Sequence, residues 1–190
     1  MNYCKPSGTV SQLVDSSSGI HGRFSPFYVR RVRNDCKDPI TTFLIDQGVA
    51  HETDQANKDN IIFSFPCKSP ESSVMANGSS AIEQLEVWKL YQDHWCEHKP
   101  SCTVYYKEEE FLGVGDWVYR NFDKISGVSF MPYSDHIYAQ APYEPITEEQ
   151  YGVLSEAMPV VDWSRLEDYE EDDYTTGMQE LACKGGVCEV

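Results

Sequence analysis

Four short runs of β-branched and aromatic residues stand between turn-forming clusters: Phe27–Val32 (FYVRRV), Asn60–Phe65 (NIIFSF), Cys102–Tyr106 (CTVYY) and Gly127–Met131 (GVSFM). Runs of this length and composition predict strands. Ala81–Trp95 instead places Ile82, Leu85, Trp88 and Trp95 near one helical stripe. Ser80 precedes it and Glu83 follows three residues later, the spacing of a capping box. A second, weaker helical pattern covers Glu108–Phe122, and a third covers Thr147–Leu154, where Thr147 can cap and Glu148 and Glu149 face the positive helix end. Strands alternating with helices predict an α/β fold, yet so few strands make a poor complete sheet.

Charge divides the chain. The 190 residues carry a formal net charge of −16, so attraction to nucleic acid phosphates or anionic lipid is not expected. Residues 1–33 run against this balance, with Lys5, Arg23, Arg30, Arg31 and Arg33 against Asp15 alone, and form a local anion-site candidate. From Asp162 onward nine acids face only Arg165 and Lys184, and six of them fall within Glu167–Asp173. Such a density opposes a packed core. The expected organisation is therefore a folded domain over 1–161 and an acidic tail over 162–190. No stretch is long and apolar enough to span a membrane, and MNYCKPSGTVSQ lacks the flank and apolar run of a signal peptide, which predicts a soluble, cytoplasmic protein. Seven cysteines at scattered spacings predict reduced thiols with one special pair.

Two segments carry candidate chemistry. In Lys5-Pro6-Ser7-Gly8-Thr9-Val10-Ser11, small hydroxyl residues and a glycine precede a short helical run. Free backbone N–H groups there can cradle a phosphate, with Gly8 letting the backbone approach the anion; the plainer reading is that Ser7 or Thr9 only caps a helix. In Cys183-Lys184-Gly185-Gly186-Val187-Cys188, two glycines allow a tight turn and Lys184 favours a thiolate, which suits reversible thiol–disulfide exchange. Two unrelated surface thiols are the alternative. The 21 intervals from Asp162 to Cys183 reach roughly 70 Å extended and about 25 Å as a coil.

The remaining candidates read as structural. His94, Cys96, His98 and Cys102 could suggest zinc, but Lys99-Pro100 breaks the helix that would align the histidines, so no metal site is expected. His21 is a lone histidine, Asp135-His136 reads as a turn, and Cys4, Cys36 and Cys67 read as ordinary reduced cysteines.

KPSGTVSQL followed by SSSGIHGRFSPFYVRRVR resembles the substrate-phosphate loop and adjoining strand of ribonucleotide reductases, most closely the monomeric adenosylcobalamin-dependent (class II) type acting on triphosphates. WKLYQDHWCEHKPSCTVYY and GVSFMPYSDHIYAQAPYEPIT resemble later segments of that family, and ELACKGGVCEV resembles its C-terminal cysteine pair. The resemblance implies the C-terminal portion of a ten-stranded α/β barrel. It implies thiyl-radical reduction of a ribonucleoside triphosphate, a phosphate loop at Ser7, Gly8, Thr9 and Val10, and a dithiol shuttle at Cys183 and Cys188 re-reduced by thioredoxin. Segments that carry the family's radical loop and reducing cysteines have no match here. Adenosylcobalamin is accordingly expected on an N-terminal polypeptide that completes the enzyme, with a split gene or a truncation as the two origins of such a chain. A redox adaptor carrying a dithiol tail, and a regulatory acidic protein, are the readings from other classes; neither needs a phosphate loop.

Overall fold

A computed structural model describes residues 2–76, 78–133 and 139–170. By internal contacts the chain forms two units, Met1–Arg30 with Phe65–Ser155 and Arg31–Ser64 with Glu156–Val190, and the division falls within two long strands, β1 (Phe27–Asp35) and β3 (Asn60–Lys68).

The first unit is built on two helices and a parallel strand pair. α3 (Ala81–His94) begins with the capping box expected from sequence: Ser80 Oγ accepts from Glu83 N–H at 3.2 Å and Glu83 Oε2 accepts from Ser80 N–H at 2.7 Å. Ala81, Leu85 and Trp88 from α3, Cys102 and Val104 from the segment of β4 (Thr103–Tyr106), and Val114 and Trp117 from α4 (Phe111–Arg120) make one buried cluster. Both tryptophans bury their rings and satisfy their N–H, Trp88 on the Pro100 carbonyl at 3.0 Å and Trp117 on Glu86 at 2.7 Å.

β4 runs parallel to β5 (Ser129–Pro132) with Thr103 opposite Ser129. Its even-numbered residues face β5, as Ser129 N–H to the Cys102 carbonyl shows. The other edge is closed by side chains. Thr103 N–H donates to His21, Gln84 pairs with both the N–H and the C=O of Tyr105 at 3.2 Å, and Lys107 N–H donates to Glu110 at 2.8 Å. Among the described residues the second edge of β5 has no strand, and all four of its residues are exposed. In the same unit β6 (Tyr143–Pro145) pairs antiparallel with the start of β1, Val29 opposite Glu144. α5 (Glu148–Ala157) starts from Thr147, whose Oγ1 accepts Gln150 N–H at 3.2 Å, and lays Tyr151 on Phe27 at 5.3 Å.

In the second unit, α2 (Pro39–Asp46) starts with Asp38 as N-cap and Pro39 in the first turn, and ends before Gly48 at φ +80°. β2 (His51–Thr53) pairs antiparallel with β3, Glu52 opposite Ile62. Phe43, Leu44, Val49, Ile62 and Phe63 are buried. Buried Asp54 accepts from Ala56 N–H, and with Arg33 at 3.0 Å beside it the carboxyl stays below its usual range.

The acidic segment begins inside this unit. Trp163–Asp168 form a 3-10 helix, the Trp163 and Tyr169 rings lie 5.5 and 5.4 Å from Phe43, and Tyr169 Oη donates to Asp46 at 3.0 Å. So within the expected tail Trp163 and Tyr169 reach Phe43, while 171–190 lie outside the described residues, Cys183 and Cys188 with them.

Candidate functional site

The stretch from Lys5 to Gly22 folds back on itself around the Ser7 carbonyl. α1 (Val10–Leu13) is a single turn. Thr9 precedes it without a side-chain cap bond; Ser7 does that work, its Oγ accepting Ser11 N–H at 2.9 Å. The Ser7 carbonyl in turn accepts from Ser18 Oγ at 2.8 Å and from Ser11 Oγ at 3.3 Å. Gly19, at φ +60°, makes the return turn with the position of an absent Cβ only 3.2 Å from the Lys5 carbonyl.

Gly8, Thr9 and Val10 are exposed, and their N–H groups meet no protein acceptor among the described residues. Exposed, unpaired donors at a helix start suit an anion. Arg30 brings a guanidinium to the same place, donating to the Gly8 carbonyl at 3.4 Å. A Cβ added at Gly8 would meet nothing within 4 Å, so the loop is open on the side from which a ligand would come.

Two side chains hold the loop from behind. Arg23, 5% exposed, donates to Asp15 at 2.7 Å, to the Ser16 carbonyl at 2.9 Å, to Ser69 Oγ at 3.3 Å and to Tyr28 Oη at 3.4 Å. Its charge is thus neutralised by Asp15, whereas Arg30 remains the cation at the loop. His21 accepts Thr103 N–H at Nε2, 3.0 Å away, which leaves Nδ1–H to donate to the Ser18 carbonyl at 2.8 Å. Gly22 permits the return strand, since a Cβ there would lie 2.6 Å from Ala76 N. Sequence reading set His21 aside as a lone histidine and did not single out Arg23 or Arg30 beyond the basic front. Their partners lie up to 82 residues away, so only the local excess of positive charge marked them.

The cysteines are separated by environment. Cys102 is buried and its thiol is pushed up to about 11 by that burial, with Cys4 adding to it. Cys4 is raised by burial and then by Cys96. Cys67 is raised by burial, against the opposing pull of Arg30 and Arg23. These are protonated, weakly nucleophilic thiols at neutral pH. Cys36 is exposed. Among the described residues no group of three or more His, Cys, Asp or Glu side chains is placed to hold a metal ion, and Asp135 and His136 lie outside them.

A cavity of about 280 Å³ opens between the N-terminal segment and the α3–β4 connection, lined by Tyr3, Lys5, His98, Lys99 and Ser101. Pockets for drug-sized ligands run to roughly 300–1,000 Å³, and a corrinoid is larger than such ligands. The cavity therefore does not fit adenosylcobalamin.

No protein-family model matches the chain. The adenosylcobalamin-dependent ribonucleoside-triphosphate reductase of Levilactobacillus brevis is 31% identical over 151 residues, covering 77% of this chain and 20% of that enzyme. The enzyme of the same name from Lactobacillus acidophilus is 27% identical over 193 residues, covering 98% of this chain and 26% of its own length. A crystal structure of a B12-dependent (class II) ribonucleotide reductase matches with a TM-score of 0.74 at 26% identity, over 87% of this chain and 23% of that one. The chain spans about a fifth to a quarter of the length of these relatives. It is therefore a mixed α/β chain homologous, over most of its length, to a portion of the adenosylcobalamin-dependent ribonucleoside-triphosphate reductases.

Proposed function

We propose that this chain supplies the C-terminal part of the catalytic barrel of a ribonucleoside-triphosphate reductase, and that a polypeptide portion matching the rest of the homologous enzymes completes it. The homology over most of the chain carries the reading. The strand arrangement supports it: a parallel pair sealed on the β4 edge by His21, Gln84 and Glu110 and, among the described residues, open along β5 is ready to be extended on one side. Further parallel strands added at β5 would bury Phe130 and Met131, now 39% and 51% exposed.

In that enzyme the N–H groups of Gly8, Thr9 and Val10, the Thr9 hydroxyl and Arg30 bind the phosphate oxygens of a ribonucleoside triphosphate, with Ser7 and Ser18 fixing the loop's shape. Adenosylcobalamin, which supplies radical initiation when bound, belongs to the completing portion. Cys183 and Cys188 give two electrons and two protons to the disulfide that turnover leaves in the barrel and become a disulfide themselves; thioredoxin then returns them to thiols. Tyr169 is anchored to Asp46 and Phe43, so the reach of Cys183 is counted from there, about 50 Å at full extension. A dithiol adaptor would not require the loop with its three free N–H groups. Mixing the chain with a reductase portion ending before the phosphate loop tests the proposal: a stoichiometric complex by light scattering is expected, and two species that never associate would refute it.

A further inference from the structure

We propose that the outer flank of α4 is a docking face for one helix of the completing reductase portion, the helix that covers a strand added beside β5; the inference rests on the proposed function. β4, α4 and β5 make one parallel crossover, and α4 lies on the sheet face that carries Val104, which it helps to bury. Phe130 stands opposite Val104 in the register, so it projects from that same face. Val104 is 0% exposed and Phe130 39%: the cover given by α3 and α4 is complete over β4 and partial over β5. On its other side α3 reaches the far edge of β4, where Gln84 pairs with the N–H and C=O of Tyr105. The flank of α4 turned away from α3 is therefore the one on the β5 side.

That flank is apolar. Val114 and Trp117 face the core, and Trp117 donates to Glu86 of α3 at 2.7 Å, which fixes the side on which α3 lies. Leu112, Gly115 and Tyr119 recur at three- and four-residue spacing on the opposite flank, with Phe111 beginning the stripe and Phe122 just past the helix end. Phe111, Leu112, Tyr119 and Phe122 are 59, 82, 83 and 74% exposed. A Cβ at Gly115 would meet nothing within 4 Å, so a second helix can come close along this line. The polar sector is separate, with Asp116 and Arg120 paired at 2.9 Å. Isolated apolar side chains on a surface are ordinary, whereas four large ones along one ten-residue helix and its end mark an interaction face. Topology names the occupant. The stripe borders the edge that β5 leaves open among the described residues, and each strand added to a parallel sheet brings a crossover helix down beside its neighbour. The homologous enzymes contain the chain for it, since the aligned part is 20% of one and 26% of another.

The test is the dissociation constant of the full chain for the reductase portion ending before the phosphate loop, by calorimetric titration, with wild type compared against Leu112→Gln, Tyr119→Gln and Arg120→Gln. The two stripe variants unfold thermally like wild type, because both side chains already stand in solvent. Each weakens the complex about tenfold to a hundredfold, as expected when a large apolar side chain is no longer buried there, and Arg120→Gln binds like wild type. Stripe variants that bind like wild type, or an Arg120→Gln variant that loses as much as they do, would overturn the docking face and leave the proposed function standing. A wild-type chain that never associates would overturn both. A chain that is a dimer by itself and a monomer as Tyr119→Gln would give the face to a second copy and overturn the proposal as well.

Discussion

Thr103 N–H donates to Nε2 of His21 at 3.0 Å, joining the first strand edge of the α3–β4–α4 core to the segment that carries the Ser7–Val10 loop. The opposite ring nitrogen donates to the Ser18 carbonyl, and the Ser18 hydroxyl donates to the Ser7 carbonyl. One imidazole therefore relays the position of β4 to the loop.

His21→Ala removes an acceptor and a donor together and leaves Thr103 N–H without its partner. The expected loss of stability is about 1–3 kcal/mol by urea denaturation, with His21→Gln recovering part of it because an amide can still accept from Thr103. An alanine variant as stable as wild type would show the relay to be dispensable.

Gly8→Ala with Thr9→Val separates binding from folding. A methyl at Gly8 meets open space, and Thr9 is exposed with no side-chain cap bond, so neither change disturbs the chain's own packing and thermal unfolding stays as in wild type. In the completed enzyme the Michaelis constant for the triphosphate rises about tenfold to a hundredfold, corresponding to roughly 1.5–3 kcal/mol for a hydrogen bond to a charged acceptor. An unchanged constant would reduce the loop to a helix start.

Cys102 sets an alkaline limit. Its thiol ionises near 11 in the folded chain against 9.0 for the unperturbed group, so the unfolded chain releases that proton first as pH rises. The stability it contributes is complete below pH 9 and is lost between about pH 9 and 11. Denaturation midpoints of wild type and Cys102→Val, compared across that window, should converge or cross as pH rises; parallel curves would remove Cys102 as the cause. At pH 8 an alkylating reagent should label exposed Cys36 in the folded chain and Cys102 only on unfolding.

Local signals in the sequence were sufficient for some elements and silent for others. The four strand runs correspond to β1, β3, β4 and β5, and Ser80 with Glu83 marked the start of α3 within a residue, because β-branched runs and capping boxes are local events. Glu108–Phe122 proved to be a 3-10 turn at Glu108–Glu110 followed by α4. α2, β2 and β6 were missed: PITTFLID is rich in β-branched residues, and three-residue strands such as HET and YEP exist only because β3 and β1 pair with them. The segment from Asp162 was read by its charge alone, which hid Trp163 and Tyr169 as anchors for Phe43. Composition marks Ser7–Val10 only as a helix start or an anion loop and the family resemblance adds the phosphate reading, whereas Arg30 and His21 join the segment only through the fold.

The proposed shuttle makes a separable prediction. Cys183→Ser or Cys188→Ser abolishes repeated turnover with thioredoxin, since one thiol can form a mixed disulfide and cannot resolve it. A single turnover by pre-reduced enzyme survives, and a small dithiol restores much of the rate. Full thioredoxin-driven turnover in both variants would remove the pair from the mechanism.

Under the proposed function this chain is one portion of a reductase and acts only when the rest is present. Deoxynucleotide formation from a ribonucleoside triphosphate, with adenosylcobalamin and a reducing dithiol, measures it directly in three samples: the chain, the completing portion and their mixture. Product is expected in the mixture alone; product from the chain by itself, or none from a mixture that forms a stable complex, would refute the proposed function.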